Sequence, residues 1–138
     1  MKLTDLEPQF FRYETRNETW DTATGPKTGP REYHIPVDTL ADAQCIFFLC
    51  PKCFAAQGSN YGVHSIEVTF AGRGVSDNMG SHNKAGNPTR WQIVDATASP
   101  DGHPDVKSED FKTLTLVPSI LIEGCCGWHG YVTRGDAS

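Results

Sequence analysis

The clearest pattern along the chain is a period of two. In the stretch His64-Ser-Ile-Glu-Val-Thr-Phe70, Ile66, Val68 and Phe70 alternate with Ser65, Glu67 and Thr69, and Thr113-Leu-Thr-Leu116 repeats the pattern. Successive side chains of a strand point to opposite faces, so such alternation predicts half-buried strands. Strands are expected over residues 32–37, 43–49, 63–71, 90–96, 112–117 and 129–133. Thr4 and Glu7 form a capping pair, but Pro8 follows and limits the opening to one helical turn. No long helix is predicted elsewhere. Residues 15–31 are polar and contain two Gly-Pro pairs, which predicts an exposed loop around Trp20. Residues 72–88 and 98–109 are rich in Gly, Pro, Asn and Asp and are expected to be long connections. The pattern as a whole predicts a mainly β fold: a compact single domain, 1–138, of short antiparallel strands with long loops.

Composition is consistent with that reading. With 138 residues the chain has room for one core, and 13 Gly and 9 Pro suit a protein of many turns. The formal charge of −5, with no run of Lys or Arg, argues against nucleic acid as a partner. The longest apolar run, Ile46 to Leu49, is too short to cross a bilayer, and the opening MKLTDLEPQF lacks the apolar stretch of a secretion signal. An intracellular protein with no membrane association is expected.

Five cysteines, at 45, 50, 53, 125 and 126, fall in two groups. An odd, clustered set in a reducing compartment reads as metal binding before disulfides. Cys50-Pro-Lys-Cys53 is a C-x2-C pair just after the apolar run, and Cys126-Gly-Trp-His129 is a C-x2-H pair. Two intervening residues let the chain turn tightly enough for both donors to reach one tetrahedral ion. Together Cys50, Cys53, Cys126 and His129 predict a structural, zinc-ribbon-like Cys3His site for Zn2+, clamping the middle of the chain to a motif 73 positions further on. Cys125 is the alternative to Cys126, through C-x3-H spacing. Cys45 is expected to be a core thiol, and Trp128 to pack over the metal.

Four protein ligands leave no position for water, so the set reads as structural and the protein as not an enzyme. The alternative is a small zinc-dependent hydrolase in which three of the four residues bind the ion and His64 or Glu123 assists a bound water. Outside the cysteines, the polar segment 72–91 is the place to expect a binding surface, with Arg73, His82, Arg90 and Trp91 as its candidate residues. Ser81 and His82 are adjacent, and adjacent side chains seldom face each other as nucleophile and base.

FLCPKC, GVHSIEVTFAGRG, PTRWQI and LTLVPSILIEGCCGWHGYV together give the chain a resemblance, over nearly its whole length, to a phage and prophage domain family of unknown function whose members are often labelled ammonia monooxygenase. The resemblance implies a viral origin and a zinc site at the two cysteine motifs. It does not imply an oxygenase, because the five histidines show no spacing suited to copper or non-haem iron. Members usually carry Gly-Gly-Cys-Gly-Trp-His, whereas this chain has Gly124-Cys125-Cys126, which adds the extra thiol. The function expected is that of a non-enzymatic zinc-binding phage protein. It would act by binding a phage or host protein, as a minor virion component or a host-directed factor, made in the host cytoplasm.

Overall fold

A computed structural model describes residues 1–138. Strand outweighs helix by 42% to 9%, as the alternation predicts. The main sheet is built from β1 (Gln9–Thr22), β2 (Gly25–Val37), β3 (Cys45–Leu49) and β4 (Ser65–Thr69). Its order is β2-β1-β3-β4, with every neighbour antiparallel. The one α-helix, α1 (Pro51–Gln57), bridges β3 and β4. Short ladders complete the fold: β5 (Gln92–Val94) with β6 (Thr115–Val117), β7 (Ile120–Leu121) with β8 (His129–Gly130), and β9 (Val132–Thr133) with β10 (Asp136–Ala137).

Register fixes what each face of the main sheet carries. Phe10 pairs with Ile46, Ile46 with Val68 and Phe48 with Ile66, and all five are buried. They form one side of the core, closed by Leu3, Leu6, Leu114, Leu116, Ile120, Trp128 and Val132. The opposite face carries Phe11, Tyr13, His34, Cys45, Phe47, Glu67 and Thr69, part polar and part aromatic. Segment 76–91 folds along this face: Ser81 donates its amide to Thr69 Oγ1 at 2.8 Å and its hydroxyl to the Glu67 carbonyl at 2.9 Å.

The structure corrects the expectation of a loop over 15–31. This segment is the outer part of a long hairpin, paired from Phe10–Val37 to Thr22–Gly25. The Gly-Pro pairs mislead because β2 is an edge strand, where a proline's missing N–H costs no ladder bond on the solvent side. Cross-strand contacts hold the arm: Thr19 with Thr28 at 2.8 Å, Arg31 over the Trp20 ring at 5.1 Å, and Arg16 over Tyr33 at 4.6 Å. Helix α1 is also more than a turn around the C-x2-C pair. Pro51 occupies its first turn and Gly58, at φ +69°, ends it, which is the usual asymmetry of helix termini. No helix is long and apolar enough to cross a membrane.

Candidate metal centre

The apolar strand β3 delivers its last residue, Leu49, to the point where α1 begins. Cys50 is the N-cap, Pro51 sets the helical φ, and Cys53 follows within the first turn, so both sulfurs lie on one side of the helix start. After Gly58 the chain returns to β4, and the ladder that pairs Leu49 with Ser65 places His64 opposite Cys50. The Cys50 amide donates to the His64 carbonyl at 3.0 Å. The fourth donor arrives from a tight knuckle in which Gly127 N–H bonds Gly124 O at 2.9 Å and Gly124, Cys125 and Gly127 all have positive φ. Lys52 Nζ reaches from α1 to the Cys126 carbonyl at 2.7 Å and ties the knuckle to the helix.

Cys50, Cys53, His64 and Cys126 thereby converge, each offering a ligand atom within 4.8 Å of the others. Cys126 Sγ lies 3.4 Å from Cys50 Sγ and 3.4 Å from His64 Nε2. Around a tetrahedral ion with metal–sulfur arms of about 2.3 Å, neighbouring donors are about 3.6–3.8 Å apart. The group therefore has the donor types and spacing to hold a metal ion, with Cys50 buried and the other three half-buried.

The three thiols are electrostatically unequal. Burial pushes Cys50 above the ordinary thiol range. Loss of solvent raises Cys53 to about 12, and the neighbouring sulfurs of Cys126 and Cys50 add to the effect. For Cys126 burial acts upward, but the Trp128 backbone N–H, His64 and the other two thiols all favour the thiolate, and the result is about 6. One sulfur thus collects the donors while the other two keep their protons. A cation entering the group would displace those protons, as thiolates and not thiols bind metals.

The structure brings together three of the four residues expected as ligands and replaces the fourth. His129 is not in the group: its Nε2 lies 2.9 Å from Ser119 Oγ, and its ring stacks on Tyr131. The cause is the period of two. Trp128 turns inward and packs edge-on against Phe48 with centroids 6.2 Å apart, so the next residue in the extended chain faces out. His64 supplies the imidazole instead. It opens the alternating stretch read as a strand, and the pairing of that strand with β3 was the available signal for it. Cys125 is exposed and outside the group, while Cys45 is fully buried on β3.

The residues proposed for segment 72–91 have mixed placements. Arg73 donates to the carbonyls of Leu40 and Ala43, both at 2.8 Å, and does not line the cleft described next. His82, Arg90 and Trp91 do line it, an open cleft of about 640 Å³ whose other wall is 118–123. Arg90 nevertheless spends its donors on the carbonyls of Ser81, Thr89, Ser76 and Met79, and both His82 nitrogens face carbonyls, of Gly80 and Asp77. Trp91 is buried, and its indole N–H bonds Ser119 O at 3.2 Å. These side chains brace the loop. Ser81 and His82 do not face each other.

No protein-family model, curated protein or solved structure matches this chain.

Proposed function

We propose that the chain is a zinc-stabilised, non-enzymatic protein that acts by binding another protein, and that it is of phage or prophage origin, working in the virion or on a host protein. The observation carrying the non-enzymatic reading is the donor set: three sulfurs and one imidazole complete a tetrahedron and leave no position for water or substrate. Thiolate-rich tetrahedral sites favour zinc among abundant divalent ions. The hydrolase alternative loses its helpers. His64 is itself in the ligand group, and the Glu123 carboxylate accepts the Lys84 amide at 2.5 Å.

The long hairpin supports a role in binding. From Arg16 to Arg31 its strands hydrogen-bond only with each other, an arm of about 20 Å presenting Trp20, Lys27 and Arg31 without a core beneath. The phage origin rests on the sequence resemblance.

Cobalt substitution tests the closed site. A tetrahedral thiolate spectrum that azide leaves unchanged is expected, and a shift on adding azide would reveal an open position and restore the hydrolase. Mass spectrometry of purified particles from a lysogen carrying the gene separates the two binding roles: presence supports a virion component and absence a host-directed factor.

A further inference from the structure

On the face of the main sheet opposite the core, β2 and β4 contribute a second set of ligating groups. Glu32, His34 and Glu67 each offer a ligand atom within 4.8 Å of the other two. His34 Nε2 is 2.9 Å from Glu67 Oε2 and 3.9 Å from Glu32 Oε1. Adjacent donors around an octahedral ion with arms of about 2.1 Å are about 3 Å apart, so a small inward adjustment of Glu32 completes a facial set.

Two further observations distinguish this group from a solvated acidic patch. First, neither carboxylate has a Lys or Arg partner: the ion pairs of Glu32 and Glu67 are with His34 alone, whereas nearby Glu14 has both Arg12 and Arg16. Two carboxylates held this close repel unless positive charge sits between them. Second, the donors are oriented from behind. The His34 ring is walled by Phe11, Tyr13 and Phe47, with centroids 6.0, 5.2 and 5.1 Å away. Glu67 Oε2 accepts from the Tyr13 hydroxyl at 2.8 Å. That hydroxyl in turn meets buried Thr69 Oγ1 at 2.8 Å, and Thr69 is held by the Ser81 amide at 2.8 Å. Metal-binding carboxylates and imidazoles are characteristically fixed by such outer partners.

We propose that Glu32, His34 and Glu67 form a second metal site, for a divalent cation of the manganese or ferrous class. Two carboxylates and one imidazole are harder donors than the cysteine group, so the sites select different ions. Binding replaces the His34–Glu67 contact: the neutral ring carries its one hydrogen on Nδ1, exchanged through solvent from Nε2, and coordinates through the Nε2 lone pair. Three protein ligands leave about three positions of an octahedron for water or an anionic ligand. Glu67 also lines the 640 Å³ cleft, whereas Glu32 and His34 lie outside it.

The test is Mn2+ titration of the zinc-loaded protein, followed by electron paramagnetic resonance of free Mn2+, with circular dichroism to verify that each variant is folded. Wild type is expected to bind a single Mn2+ without releasing zinc. Glu32→Gln, an exposed position, and Glu67→Gln should each weaken binding about tenfold or more, and Tyr13→Phe should weaken it with all three ligands intact. Absence of Mn2+ uptake by wild type, or equal uptake by wild type and both glutamine variants, would overturn the proposal.

Discussion

Cys50 and His64 face each other across the end of the β3–β4 ladder, joined by a backbone hydrogen bond of 3.0 Å. Three of the four candidate ligands are therefore local to one strand–helix–strand unit, and only Cys126 comes from far along the chain. A metal bound there would close on a preformed half-site. His64→Ala should abolish stoichiometric zinc binding, whereas His129→Ala should retain it and lose only the contact with Ser119, as read by zinc content after gel filtration.

The proton inventory of the cysteine group sets a pH dependence. Cys50 and Cys53 are held above the usual thiol range and Cys126 near 6, so at neutral pH zinc entering the group would displace about two protons. The bound fold then carries fewer protons than the metal-free one, so its stability is present at high pH and is lost as pH falls. Zinc affinity should drop about 100-fold per unit between about pH 8 and pH 7, measured by chelator competition. A pH-independent affinity would show that the thiols are already ionised.

Thiol reactivity should divide by position. Burial raises Cys45 to about 12 and leaves it no exposed surface, while Cys125 is exposed in the knuckle. Brief iodoacetamide treatment of the zinc-loaded protein should label Cys125 and spare Cys45, read by peptide mass spectrometry.

Trp128 depends on a glycine. A Cβ at Gly130 would stand 2.5 Å from Trp128 Cζ2 and 2.8 Å from the Ser138 carbonyl. Gly130→Ala should destabilise the fold by about 1–3 kcal/mol in urea unfolding at saturating zinc.

Much of the scaffold was legible because its signals are local. The alternation in 64–70 marked β4, the C-x2-C pair after an apolar run marked the first half-site, and the turn-rich composition of 72–88 marked a long connection. What stayed hidden was pairing. The hairpin arm has no apolar face, so only its cross-strand partners reveal it, and its prolines read as breakers until β2 is known to be an edge. Spacing favours His129, in a C-x2-H pair with Cys126, over His64, which is well removed from Cys53 in sequence. Only the inward turn of Trp128 and the register of β3 against β4 decide between them.

The arm should be dispensable for folding. Joining Arg16 to Arg31 through a two-residue Asn-Gly turn removes strand pairs that hydrogen-bond to no other element, so zinc content and melting temperature should hold while partner binding is lost.

The most direct test of the account is the zinc content of protein purified without added metal, compared between wild type and Cys126→Ser. The Cys3His reading predicts a single zinc per chain in wild type and, in the variant, loss of zinc together with loss of cooperative unfolding. A metal-free wild type that unfolds cooperatively, or a Cys126→Ser variant with full zinc, would contradict it.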